Sequence, residues 1–251
     1  MDERESREAV RALRGLPLRQ EVYSFDGSPE QQRPYSVIEN NYDVKLVQRR
    51  AGERHAVFFA YGCETVTHYY ERNTSDPRIA HNFNLDIGPY GNVLKSASVV
   101  YGRKTTDPSL PVEVTHDQQQ LYITYSEADY TLDINQSSPV PAYRLRTAYE
   151  TRSHEITGIA PVAALFKLAE LGGKITRATA ISYEAIASGT SPLKRLLSQV
   201  RTLFCNNSMA ALPLGAWVGN CRTVHSRIFP RCAQPSRPGG AARRHDSETV
   251  L

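Results

Sequence analysis

Residues 79–101 read IAHNFNLDIGPYGNVLKSASVVY. Ile79, His81, Phe83, Leu85 and Ile87 alternate with Ala80, Asn82, Asn84 and Asp86. A period of two puts one set on each face of an extended strand, where a helix would scatter both. Gly88-Pro89-Tyr90-Gly91-Asn92 follows, a run suited to chain reversal, and Val93–Tyr101 returns. The stretch predicts an antiparallel hairpin with one face buried and one wet.

Working outward, the same alternation runs from residue 18 to about 157. Leu18–Tyr23 alternates up to a turn at Phe25–Pro29. Tyr35 and Val37, then Tyr42, Val44 and Leu46, continue it, and Arg50–Glu53 is a turn. His55, Val57 and Phe59 precede Val66, His68 and Tyr70, before a breaker cluster at Asn73–Pro77. Downstream, strands are predicted over Leu121–Tyr125, Tyr130–Ile134 and Tyr143–Tyr149. Tyrosine and threonine at this density suit half-exposed sheet.

Three short helices frame the strands. The first is N-terminal: Asp2 and Glu5 form a capping-box pattern, Val10 and Leu13 share a face, and Gly15 and Pro17 stop it. The second covers Pro161–Leu171, ended by Gly172-Gly173, and a strand over Ala178–Ala187 follows. The third has Ser191 as cap, Pro192 at its first position and Leu193, Leu196, Leu197 and Val200 as an apolar stripe. The fold class is therefore mainly β, made of antiparallel hairpins with a few short helices. It is β-rich over 16–158 and mixed α/β over 159–204.

The 251 residues, at 40% hydrophobic and 22% charged, suffice for a sizeable core and fit a soluble globular composition. The longest apolar run, Ile159–Phe166, is far short of the roughly 20 residues of a membrane-spanning helix. The charged start MDERESREAVRALRG lacks the apolar stretch of a secretory signal. The formal charge of +4 arises in residues 205–251, where six arginines face only Asp246 and Glu248. No basic binding face is implied for the body. Cys205, Cys221 and Cys232 also lie in this tail, and no close cysteine pair of metal-binding spacing occurs. The tail holds none of the 14 tyrosines and no lysine. Its composition suits either a separate arm or translation in a shifted reading frame. With too little apolar surface to offset chain ordering, it is expected to be disordered, with Trp217, Val218, Ile228 and Phe229 making only transient contacts.

The chemistry-bearing residues form no convergent pattern. There is no glycine-rich phosphate loop, nucleophile elbow or zinc-helix motif. His55, His68 and His81 fall on successive predicted strands and could converge on a metal, but their spacing matches no ligand pattern, and half-buried histidines in a tyrosine-rich sheet account for them better. Tyr69-Tyr70 beside Arg72 could stack on a sugar or base, yet adjacent strand residues point to opposite faces. Glu64, Glu71, Asp76 and Asp86 include no pair whose separation can be argued. Glu248-Thr249-Val250-Leu251 fits the pattern taken by PDZ domains and reads as chance. The expectation is no catalytic residue, no metal ligand and no cofactor, hence not an enzyme. An independent β-sheet module binding carbohydrate or a host surface is the alternative.

Several long segments carry a resemblance. RHAVFFAYGCETVTHYYERNTSDPRIAHNFNLDIGPYGNVLKSASVVYGR (54–103) closely resembles the B component of the bacterial insecticidal toxin complexes, the Tc toxins. REAVRALRGLPLRQEVYSFDGS (7–28), PYSVIENNYDVKLVQ (34–48), ETRSHEITGI (150–159) and LKRLLSQVRTLF (193–204) continue it in order. DIGPYGNV (86–93) is similar to the turn of Rhs/YD repeats. The resemblance implies a segment, 1–204, of a much longer chain, followed by the anomalous tail 205–251. It implies a non-enzymatic piece of an Rhs-like shell enclosing the cytotoxic tail of a C component, for delivery through the A-component pore. It further implies those two partners, no nucleic acid, no direct membrane insertion, and action outside the producing cell after synthesis in the cytoplasm. A related virulence protein joins such a region to an ADP-ribosyltransferase; here Ser188-Gly189-Thr190-Ser191 and Glu3-Arg4-Glu5 do not supply that enzyme's motifs in the required order.

Overall fold

A computed structural model of the chain describes residues 1–137, 142–187, 189–204 and 224–229. The helices are α1 (Glu3–Ala12), α2 (Val112–Gln118) and α3 (Leu168–Thr176). The strands are β1 (Arg19–Val22), β2 (Ser36–Gln48), β3 (Val57–Tyr69), β4 (Arg78–Ile87), β5 (Val93–Tyr101), β6 (Tyr122–Tyr130), β7 (Ile134–Gln136), β8 (Ala142–Arg144), β9 (Ala148–Thr157), β10 (Thr179–Ile181), β11 (Leu193–Phe204) and β12 (Val224–Phe229). One large sheet runs β1-β2-β3-β4-β5-β6-β9-β11-β10, with β12 also on β11, while β7 and β8 form a separate hairpin. Within the large sheet only β10 and β11 run parallel. The mainly β, antiparallel fold expected from the alternation is the one observed.

Register explains the core. His81, Val99, Ile123 and Ile156 lie directly opposite one another on β4, β5, β6 and β9. The adjacent row is Phe83, Ala97, Tyr125 and His154. Phe166, Leu171 and Ile175 close over these rows, and Phe83, Val99 and Leu171 are fully buried. Each such side chain contributes about 1.5–3 kcal/mol by leaving water. On the other face, Asn84, Ser96, Ser126 and Ser153 form a matching row of short polar groups. Gly158 lets β9 turn away beneath β11: its φ is +72°, and any side chain would strike the Ser191 carbonyl.

Several expected elements differ. The two runs of alternation in residues 55–70 are one strand, β3. Asn41 pairs with Glu64 but Tyr42 with Gly62, so Cys63 is an extra, bulged residue. A bulge shifts the alternation by one, which brings Phe59 and Tyr61 to the face that carries Glu64, Val66 and His68. Leu121–Tyr125 and the start of Tyr130–Ile134 likewise belong to one strand, β6. Tyr143 and Tyr149 belong to two strands, β8 and β9, rather than one. Helix α2 was not expected from the sequence.

Helix α1 carries the expected capping box, but Val10 is exposed and the buried residue is Glu5. Glu5 accepts from the Arg50 amide at 3.2 Å, and Glu8 accepts from the Ala56 amide at 2.8 Å. The helix thus grips the β2–β3 turn through carboxylates rather than an apolar stripe. The helix placed at Pro161–Leu171 begins instead at Leu168 and runs through Gly172-Gly173. Burial of Leu171 and Ile175 outweighs the weak helix preference of glycine.

The largest correction is Leu193–Phe204, read as a helix and found as β11. It pairs with β9 from Leu193↔Thr157 to Arg201↔Glu150. Helix propensity is a weak prior, and tertiary pairing overrides it here. Arg195 meets Glu155 at 3.3 Å and Arg201 meets Glu150 at 3.0 Å, cross-strand matches that a helix would forfeit. The strand over Ala178–Ala187 shrinks to Thr179–Ile181. In the tail, Val224–Phe229 pairs with β11 as β12, where no sustained period was expected. Cys205, Trp217, Val218, Cys221, Cys232 and the Glu248–Leu251 terminus lie outside the described residues.

Candidate functional site

The three histidines do not converge. His55 precedes β3, and its Nδ1 lies 2.7 Å from Glu8 Oε1. His68 and His81 share the core face of β3 and β4, where His68 stacks on Tyr70. His81 is buried beside Phe83, with ring centroids 3.8 Å apart. The Phe166 amide donates to the Tyr101 hydroxyl at 3.0 Å, and that hydroxyl lies 3.2 Å from His81 Nδ1. Nε2 lies 3.3 Å from Glu64 Oε2 but off the line of a hydrogen bond, so the contact is electrostatic. Burial lowers the His81 pKa, with Glu64 opposing, and raises that of Tyr101 to about 12. Among the described residues, no group of three or more His, Cys, Asp or Glu is arranged to hold a metal.

The aromatic pair does not form a platform either. Arg78 lies 5.7 Å over Tyr69, while Tyr70 stacks on His68. Arg72 lies over Tyr35 and bonds Asp26 at 2.5 Å. The four carboxylates are each engaged separately. Glu64 accepts from Asn41 at 3.0 Å, Glu71 pairs with Arg78, and Asp86 lies 3.5 Å from Lys95. Asp76 accepts from the amides of Lys104 and Thr105 at 3.0 Å and from the Thr105 hydroxyl at 2.6 Å. Burial alone would raise its pKa, but these bonds pull it well below the usual carboxylate range.

What the sequence did not reveal is a charged network on the core face. Lys95, Glu127 and Arg152 are consecutive cross-strand partners on β5, β6 and β9. Asp129 stands directly opposite Glu150, a like-charge pairing that would repel alone. Arg152 relieves it, reaching Asp129 at 2.7 Å, Glu127 at 3.4 Å and Glu150 at 3.4 Å. Gln199 and Arg201 on β11 complete the coordination of Glu150. Burial would raise the Glu150 pKa, yet these donors lower it. The hint in the sequence is the charge alternation of Glu150, Arg152, Lys194 and Arg201, but it acquires meaning only through the register.

Beside this network lies a cavity of about 500 Å³ between the sheet and α3, lined by Asp86, Lys95, Tyr125, Glu127, Gly172 and Lys194 among others. Lys194 lies 3.6 Å from Glu127 and 5.6 Å over the Tyr125 ring. A second, of about 460 Å³, is bounded by Glu39, Glu64, His81 and residues 163–167. In the first, the charged groups are turned to one another, Asp86 to Lys95 and Glu127 to Lys194. The arrangement suits holding ten strands in fixed register more than transforming a ligand. No described helix is long and apolar enough to cross a membrane.

Known structures share the fold. The crystal structure of TcdB2-TccC3 aligns over 92% of this chain with a TM-score of 0.67 and 23% identity. The Photorhabdus luminescens Tc holotoxin pore structure aligns over 91%, with a TM-score of 0.66 and 23% identity. The chain spans only 11% and 10% of those two chains. No curated protein matches. The family described as insecticide toxin TcdB middle/C-terminal region matches residues 8–144, more than half of the chain, and the protein belongs to that family.

Proposed function

We propose that this chain is a non-enzymatic wall segment of an insecticidal toxin complex, forming part of the shell that encloses the cytotoxic tail of a C component. The observation that carries this is the alignment of 92% of the chain with TcdB2-TccC3. A broad antiparallel sheet whose ion network on β6, β9 and β11 is paired within itself supports it, since a wall needs fixed register rather than a reactive centre. On this reading the partners are the C component and the A-component pore, and the place of action is outside the producing cell. Co-expression with a tagged C component tests it. The chain should co-purify at fixed stoichiometry, and a C component that never retains it would count against the wall role.

A further inference from the structure

The second cavity, under residues 163–167, is walled on the sheet side by Glu64 and His81. Glu64 pairs with Phe83 and Val66 with His81, which makes Glu64 and His81 diagonal neighbours on the core face. The His81 side chain is only 3% exposed, and its Nε2 has no hydrogen-bond partner, although Glu64 Oε2 lies 3.3 Å away. Neither tautomer cures this. A protonated Nε2 is a buried donor with no acceptor in line, and a bare Nε2 turns its lone pair on those of a carboxylate. Doubly protonating the ring is opposed by burial, which lowers the His81 pKa. A cation held by both atoms engages both lone pairs at once.

We propose that Glu64 Oε2 and His81 Nε2 form a two-residue site for a divalent cation of the zinc type, which ties β3 to β4 beneath residues 163–167. A tetrahedral zinc holds nitrogen and oxygen ligands at about 2.0–2.2 Å, which sets neighbouring ligand atoms about 3.3–3.5 Å apart. Nε2 and Oε2 already stand at that separation. Each ligand is also braced from behind, as metal ligands are. His81 Nδ1 lies 3.2 Å from the Tyr101 hydroxyl, and Asn41 donates to the other Glu64 oxygen at 3.0 Å. An imidazole beside a carboxylate suits zinc, whereas calcium and magnesium take oxygen shells. Among the described residues no third His, Cys, Asp or Glu completes the set, so water takes the remaining positions. The Glu64 side chain, 23% exposed, gives the cation its way in. The site does not depend on the wall reading.

The test is zinc chloride titrated calorimetrically into the chelator-stripped full chain, with Cys205, Cys221 and Cys232 replaced by serine so that their thiols do not compete. One zinc per chain should bind saturably. Glu64→Gln and His81→Gln should each weaken that binding at least tenfold, whereas His55→Gln, which removes an exposed histidine, should leave it unchanged. Zinc binding that survives Glu64→Gln puts the metal elsewhere and overturns the site. Absence of saturable binding overturns it outright and leaves the cavity to solvent. Where a variant does not fold, cobalt chloride titrated into the same cysteine-free chain decides by nitrogen-15 NMR. The amides of residues 63–65 and 80–82 should shift or broaden first, and effects centred on any other part of the chain overturn the proposal. Co-purification with a C component is a separate measurement, so the wall reading and the metal site stand or fall independently.

Discussion

The core face of the sheet has two ends, tied across the same strands by different physics. At one end Val99, Ile123 and Ile156 meet directly and are covered by Phe166 and Leu171. At the other, Glu127, Asp129, Glu150, Arg152 and Arg201 meet as an ion network. The apolar end draws on water exclusion, which is insensitive to charge state. The network depends on every partner being present and correctly protonated, because a half-satisfied group of partly buried charges is worse than none. A sheet built this way has one end that supplies stability and another that fixes which residue faces which.

Cutting the apolar end gives the largest expected loss. Phe83→Ala should destabilise the fold by about 3–5 kcal/mol, read from urea unfolding at constant slope. A loss below about 1 kcal/mol would show that the core is not centred there. Arg152→Met attacks the other end and leaves three carboxylates without their shared cation. Its side chain is 27% exposed, so water moderates the penalty, and about 1–3 kcal/mol is expected at pH 7. The penalty should shrink towards pH 4, where Glu127 and Glu150, without Arg152, take up protons. If it is the same at both pH values, the network is not electrostatic in the way described.

Acidification probes both ends. Burial lowers the pKa values of His68, His81 and His154, so the folded chain keeps these rings neutral. Below the unfolded value of about 6.5 the unfolded chain binds protons that the fold refuses, so stability falls as pH drops through that value. The depressed carboxylates Asp76, Glu127 and Glu150 act lower: their contribution is complete above about 4.5 and disappears as pH falls through their folded values. Urea midpoints should decline in two limbs, and His81→Asn with His154→Asn should flatten the first. A midpoint that stays constant from pH 8 to 5 would contradict the histidine assignment.

How much of this was legible followed from the range of the interactions. The β4–β5 hairpin was readable because alternation and turn chemistry lie within a single stretch of chain. The Cys63 bulge was half readable: Val57 and Phe59 are odd-numbered, Val66 and His68 even, and only pairing with β2 shows one shifted strand rather than two. β11 was not readable, since its leucines satisfy a helical stripe while its reasons for being a strand, Glu150 and Glu155, are some forty residues away. For the candidate site, the sequence could not supply the charge network, which exists only across strands. The like-charge pairing of Asp129 with Glu150 is invisible until β6 and β9 are aligned.

The smallest effect concerns α3, whose glycines suggested a helix end. Gly173 has helical backbone, and nothing lies within 4 Å of where a Cβ would sit. Gly172 is closer, with Leu85 Cδ2 at 3.8 Å, an ordinary contact. Neither position needs a left-handed backbone, so the glycines serve neither a turn nor a cap. Gly173→Ala should therefore stabilise the protein by about 0.5–1 kcal/mol, through better helix propensity and a less flexible unfolded chain. The gain should be additive with Arg152→Met, because α3 makes no bond to that network. A loss on Gly173→Ala would mean that the space above Gly173 is needed by something else. On the wall reading that would be a surface of a neighbouring polypeptide, and the loss would then appear only in the assembled complex while the isolated chain still gained.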